Sequence, residues 1–204
     1  MELVPDSLSA RDRYALMIGA IQPRPIAWVS TVDSKGVRNL APFSFFTGIT
    51  AAPMTLAFCP ARNRDGKPKD TLANILATKE FVVNIATEAN AEKMVQTSFE
   101  YGPEEDEFES AGVTAESSKN VTPARVKESP VAFECKLHSA VEISDGPGGG
   151  TLVIGTIVGG RIDDSILKDG RIQHGALKAV GRLEGAWYTR VAETFEIPRP
   201  RSGQ

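Results

Sequence analysis

Residues 23–74 read PRPIAWVSTVDSKGVRNLAPFSFFTGITAAPMTLAFCPARNRDGKPKDTLAN, and the rest of the chain is organised around them. Pro25 to Val32 is rich in apolar and β-branched residues, DSKG at 33–36 is a turn, and Val37 resumes an extended pattern. Together they predict a hairpin. Met54 to Phe58 predicts a third strand. Beyond it, Arg62, Arg64, Lys67 and Lys69 crowd a loop containing Gly and Pro, and Asp70-Thr71 opens an apolar helical run through Leu72, Ile75 and Leu76. A helix start offers unpaired backbone N–H groups and the positive end of a dipole, and flanking cations add Coulomb attraction. The pattern describes a phosphate clamp that needs no P-loop. A cation cluster of this kind is, taken alone, more often a wet turn.

Working outward, residues 1–22 predict a helix capped by Ser9, with Tyr14, Met17, Ile18 and Ile21 on one face packed against the sheet. On the other side, Phe81 to Ala86 (FVVNIA) predicts a central strand, and Ala91 to Ser98 carries Met94 and Val95 on a helical spacing. Residues 100–109, EYGPEEDEFE, have the composition of a solvated surface loop and are assigned no chemistry. Val131 to Ile143 and Thr151 to Ile162 predict a long antiparallel hairpin across the Gly-rich turn at 145–150. Val180 to Tyr188 predicts a further strand, and residues 197–204 a loose tail. Strands outnumber helices and no βαβ alternation is visible. The expected fold is therefore a single domain over 1–204, mainly β (α+β), a Greek-key barrel with peripheral helices.

Composition narrows the function classes. With 204 residues, 41% hydrophobic, 24% charged and a formal net charge of -3, the chain is that of a soluble globular domain without the basic surplus a nucleic-acid partner requires. Cys59 and Cys135 lie far apart without C-x-x-C spacing, so neither a disulfide framework nor a zinc site is expected. The apolar run from Tyr14 to Ile21 is short and interrupted by Gly19, neither a signal segment nor a membrane span, and a cytoplasmic location is expected. No P-loop, zincin, nucleophile-elbow or Rossmann signature occurs. His138 and His174 lack a second histidine at ligand spacing, so no metal is expected; His174, beside Gly175 in a polar segment, is the one histidine placed to face a ligand.

The run NLAPFSFFTG at 39–48 mixes small, polar and aromatic residues where a plain buried strand would alternate more cleanly. Phenylalanines so close together are more often core than cofactor platform, and Cys59, ending a strand, is more often apolar filler than ligand contact. Their co-occurrence with the cation loop shifts the balance: one end would hold a planar ring and the other a phosphate, as flavin mononucleotide (FMN) requires.

Several ordered motifs between about Gln22 and Arg190 resemble the flavin reductase-like, FMN-binding split-barrel proteins: RPIAWVST at 24–31, NLAPFSFF at 39–46, FCP at 58–60, KDT at 69–71 with Asn74, ECKL at 134–137, and GRL at 181–183 with Tyr188. The resemblance implies a six-stranded split barrel, a homodimer with flavin sites at or near the subunit interface, and FMN reduced by NADH or NADPH. It makes Ser44, Phe45, Asn39 and Ala41 contacts along the ribityl chain and ring edge. Lys69, Asp70 and Thr71 take the phosphate, reinforced by Arg62 or Arg64, and Trp28, Ser30 and Thr31 lie near ring or chain. Gly159, Gly160 and Arg161 stand where many relatives carry histidine, which leaves the nicotinamide side unassigned, with His174 as a substitute. The implied activity is NAD(P)H-dependent flavin reduction, with reduced FMN supplied to a separate monooxygenase. Two alternatives stay open: a flavoredoxin-like electron-transfer protein without reductase turnover, and a flavin-free dimeric binding protein.

Overall fold

The computed structural model describes residues 2–63 and 66–200. Its main sheet is built from β1 (Ala27–Val32), β2 (Arg38–Phe43), β3 (Phe46–Ala51), β4 (Met54–Phe58), β5 (Glu80–Ile85), β6 (Val131–Ser144) and β7 (Gly150–Ile162). The order across the sheet is β2-β1-β5-β6-β7-β4-β3, and every neighbouring pair is antiparallel. The hairpin expected around DSKG is present, running from Ala27 opposite Phe43 to Val32 opposite Arg38. Its turn is fixed by Asp33, whose Oδ1 accepts the Lys35 and Val37 amides at 2.8 Å each, and by Gly36 at φ +92°.

Connectivity forces the sheet to curl. β2 and β3 lie on its two opposite edges, yet only Ser44 and Phe45 separate them in the chain. Three Cα–Cα steps span at most about 11 Å, whereas the outer strands of a flat seven-stranded sheet would stand roughly 29 Å apart. The edges must come round to meet, and the Cys59 amide donates to Phe45 O at 2.9 Å beside that corner. The expectation of six strands is corrected: the sheet has seven and is not closed, because the run 39–48 is two strands broken at Ser44-Phe45 rather than one.

The curl gives β1 two buried faces. Ala27 and Val29 point into the barrel with Phe43, Leu56, Phe58, Phe81 and Val83. Trp28 points outward and is covered with Leu40 by Met94 of α3 (Ala91–Gln96), Phe108 of α4 (Glu107–Ser110) and Val126. Gly155 of β7 is required inside, since a Cβ there would lie 2.3 Å from the Phe81 ring.

Helix α1 (Ala10–Ala20) begins as expected, with Ser9 Oγ accepting the Asp12 amide at 3.1 Å. Its apolar face does not pack as expected: Ile18 is buried, while Tyr14, Met17 and Ile21 are exposed. Helix α2 (Asp70–Thr78) buries Thr71, Leu72 and Ile75 and ends at Lys79 in the left-handed region, φ +63°. The run expected as one strand over Val180 to Tyr188 is a short hairpin, Val180–Arg182 paired with Tyr188–Arg190. Residues 191–200 carry no helix or strand. Among the described residues no helix is long and apolar enough to cross a membrane.

Candidate functional site

A cavity of about 260 Å³ opens where the start of α2, the edge strand β2 and the segment after α3 converge. From the start of α2 come the N-cap Lys69, Asp70 and Thr71; from β2, Asn39, Ala41 and Pro42; from the loops, Asn63 and residues 97–101; and from α4, Glu107. A second hollow of about 180 Å³ shares Asn39, Asp70 and Glu107 with it.

The helix start is the donor-rich wall. Lys69 occupies the N-cap in an extended conformation without a capping side chain. The Leu72 and Ala73 amides both close on Lys69 O, at 2.9 and 3.1 Å, and the Asp70 and Thr71 amides have no acceptor among the described residues. These donors, the positive end of the helix dipole and the Lys69 ammonium face one cavity, which suits an oxyanion. Side chains lock the helix to the sheet: Asn39 Nδ2 donates to Thr71 Oγ1 at 3.2 Å, and Asn74 Nδ2 donates to Thr31 Oγ1 at 3.1 Å.

The opposite wall carries acidic and aromatic residues. Glu107 Oε2 accepts the Leu40 amide on the free edge of β2, so the carboxylate both closes that edge and faces the cavity. Burial raises its pKa to about 7; the Asp70 and Asp106 carboxylates push the same way, and the Leu40 N–H and Lys69 oppose them. Phe99 is exposed and meets Tyr101 edge-on at 5.1 Å. Beneath this segment Trp28 Nε1 donates to Thr97 Oγ1 at 2.9 Å, which in turn donates to Met94 O.

The structure thus brings Asn39, Ala41, Lys69, Asp70 and Thr71 into one cavity. Trp28 and Thr31 support it from behind, and Ser30 Oγ turns away to donate to Ala124 O at 2.5 Å. Ser44 and Phe45 form the barrel corner, where Ser44 Oγ accepts from Arg24 Nε at 3.3 Å and Phe45 meets Tyr14 edge-on at 6.3 Å. Cys59 packs where a Cβ on Gly150 would approach its Sγ to 2.9 Å, and burial raises its thiol pKa. Arg62 is held by Gly66 O at 2.9 Å and by Glu142, outside the cavity lining. Arg64 lies outside the described residues. His174 is exposed, with Nε2 3.0 Å from Thr194 Oγ1.

Glu100, Tyr101 and Glu107 line the cavity although they belong to the acidic run expected as a solvated surface loop. The local signal available was the Phe99-x-Tyr101 aromatic pair; the contact of Glu107 with β2 is 67 residues away in sequence and leaves no local trace. Among the described residues no group of His, Cys, Asp or Glu could hold a metal ion.

Comparison with known proteins places this architecture. The model of the flavin reductase like domain matches residues 20–178. An uncharacterized protein of Halalkalibacterium halodurans is 41% identical, the match covering 100% of this chain and 99% of that protein. Among solved structures, nitrilotriacetate monooxygenase component B from Bacillus cereus superposes with a TM-score of 0.92 at 32% identity, over 97% of this chain and 98% of that one. The 2-nitrobenzoate 2-nitroreductase NbaA of Pseudomonas fluorescens gives a TM-score of 0.86 at 27% identity, over 98% and 96% of the two chains. The converging evidence of strand order, cavity and matched domain makes this chain a member of the flavin reductase like domain family.

Proposed function

We propose that the protein binds FMN and reduces it with NADH or NADPH, supplying reduced flavin to a separate flavin-dependent monooxygenase. The observation that carries this reading is the convergence on one cavity of Lys69, Asn39 and the Asp70 and Thr71 amides, which have no acceptor among the described residues, in a flavin reductase-like chain. These residues fit the group: the helix start and Lys69 would hold the phosphate, and Asn39 and Ala41 would line the polyol chain. Ser44 and Phe45 at the barrel corner complete the proposed contacts, and Trp28, Ser30 and Thr31, buried behind β2, would shape the site without touching the ligand.

Bound FMN would supply hydride chemistry, accepting two electrons from the nicotinamide. The protein's own task is then to place two flat rings and keep one flavin face open, which calls for no nucleophile or acid–base pair. The likeness to a monooxygenase component B supports the oxygenase partner. A homodimer belongs to the same reading. β3 is an edge strand, and a groove of about 540 Å³ beside it is lined by Phe46, Ile49, Met54, Leu56, Phe133 and Ile157, an apolar surface that a second copy would cover. Cys59 and Cys135 are both free thiols, in keeping with a cytoplasmic protein.

The test is a single preparation titrated with FMN and then mixed with NADH or NADPH under anaerobic stopped flow. Flavin bleaching followed by turnover of excess FMN is the expected result. Bleaching of one equivalent without turnover would indicate an electron-transfer protein, and no flavin binding would reject the reading.

A further inference from the structure

The cavity holds a contradiction in charge. A phosphate entering it meets Lys69 and the α2 dipole, and also two carboxylates, Asp70 and Glu107, that line the same space. Glu107 cannot swing clear, because its Oε2 is held by the Leu40 amide on the edge of β2 and the neighbouring Phe108 is buried in the outer core. Bringing a dianion beside a fixed, half-buried carboxylate is electrostatically unfavourable, and more so in a cleft than in bulk water. The conflict is relieved if Glu107 carries a proton, and Oε1 is the oxygen left to take it and donate to the anion.

We propose that Glu107 is a specificity-determining residue of the flavin site that takes up one proton from solvent as the phosphate of FMN enters, so that the protein's preference for FMN over riboflavin is set by pH. This rests on the FMN reading above. The groups facing Glu107 leave no other route to neutrality. From α2 they are Lys69 and Asp70; from β2, Arg38, which is engaged by Asp106 and Glu109; from the preceding segment, Glu100, Tyr101, Glu105 and Asp106; and from the β1–β2 turn, Asp33. Among these facing groups the carboxylates outnumber the cations, and Arg38 is already paired with Asp106 and Glu109, which leaves Lys69. Burial and the Asp70 and Asp106 charges already raise Glu107 to about 7, so the proton is available near neutrality.

The experiment measures dissociation constants of FMN and riboflavin between pH 7 and 8.5, where the flavin phosphate, with a second ionisation near pH 6, stays dianionic. FMN affinity should fall by roughly tenfold per pH unit toward the upper end of that range, the slope of one linked proton. Riboflavin affinity should stay flat. Calorimetry in two buffers of different ionisation enthalpy should show uptake approaching one proton per FMN at pH 8. In Glu107→Gln the amide oxygen still accepts the Leu40 N–H, so circular dichroism should be unchanged while slope and proton uptake vanish. Wild-type FMN binding with no slope and no proton uptake overturns the role of Glu107 and leaves the flavin site standing. An unchanged slope in Glu107→Gln overturns it too. Failure to bind either flavin at any pH removes the FMN reading and this inference together.

Discussion

The polar cleft at the start of α2 and the apolar groove beside β3 make an instructive pair. The groove is the larger, about 540 Å³ against 260 Å³, and size alone would make it the ligand site. Lining chemistry reverses that order. The cleft presents a lysine, helix-start amides without an acceptor among the described residues, amide side chains and carboxylates. The groove presents Ile49 and Met54, each about half exposed, along an edge strand with free backbone groups. Such a surface offers a small molecule little that would orient it, and offers a second copy both apolar area and a strand edge. On this ground the proposed flavin site is the cleft and the proposed dimer contact the groove.

The strongest way to break this division is a charge in the groove. Met54→Asp should weaken a dimer by at least about 3 kcal/mol, since the carboxylate would be buried without a partner. Sedimentation at micromolar concentration should then show monomer. Loss of FMN from a variant that stays dimeric would exchange the two assignments.

Next in size is Lys69→Ala. Losing a charge-assisted contact to the phosphate should weaken FMN by about 1–3 kcal/mol and leave riboflavin unaffected. Equal weakening of both ligands, measured by fluorescence quenching, would make Lys69 structural and the cleft a wet turn.

The smallest effect sharpens the electrostatics of the empty cleft. Glu107 has a pKa raised in the folded protein, so between pH 4.5 and about 7 the native state binds more protons than the unfolded chain. Stability of the flavin-free protein therefore falls as pH rises through that window. Glu107→Gln should remove this loss and raise stability at pH 8 by about 1 kcal/mol, less than full linkage because the side chain is partly solvated. Urea midpoints of the two proteins that run parallel from pH 5 to pH 8 would contradict the shift.

How far the sequence could be read depended on whether the deciding contact was local. The DSKG hairpin, the strand at Met54, the long hairpin over Val131 to Ile162 and the start of α2 all declare themselves through neighbours within a few residues, and all are present. The break at Ser44-Phe45 carries no Gly or Pro of its own, although Pro42 stands two residues before it; the sheet edges meet there, a condition set by strands far along the chain. α1 has an apolar face that the barrel covers only at Ile18, which helical periodicity cannot foresee. In the cleft, Lys69, Asp70 and Thr71 were legible because a helix start is a local signal, whereas Glu107 was hidden in a run whose composition says solvent. The hydroxyls of Ser30 and Ser44 belong to well-marked motifs, yet one bonds Ala124 and the other Arg24, because a motif names residues without aiming their side chains.

The two-residue corner at Ser44-Phe45 also bears on how the chain is made. It commits β3 and β4 to the far edge of a sheet whose next strand does not yet exist: Thr55 of β4 pairs with Thr156 of β7, 101 residues later. At a synthesis rate of 5–20 residues per second, the β3–β4 hairpin leaves the ribosome roughly 5–20 s before its neighbour. Through that interval Leu56 and Phe58, which end fully covered, have no barrel to enter, and one edge of β4 is open to any passing strand. Newborn chains of this protein should therefore be clients of holding chaperones late into translation, and a truncation before residue 150 should aggregate through β4 rather than fold into a smaller barrel.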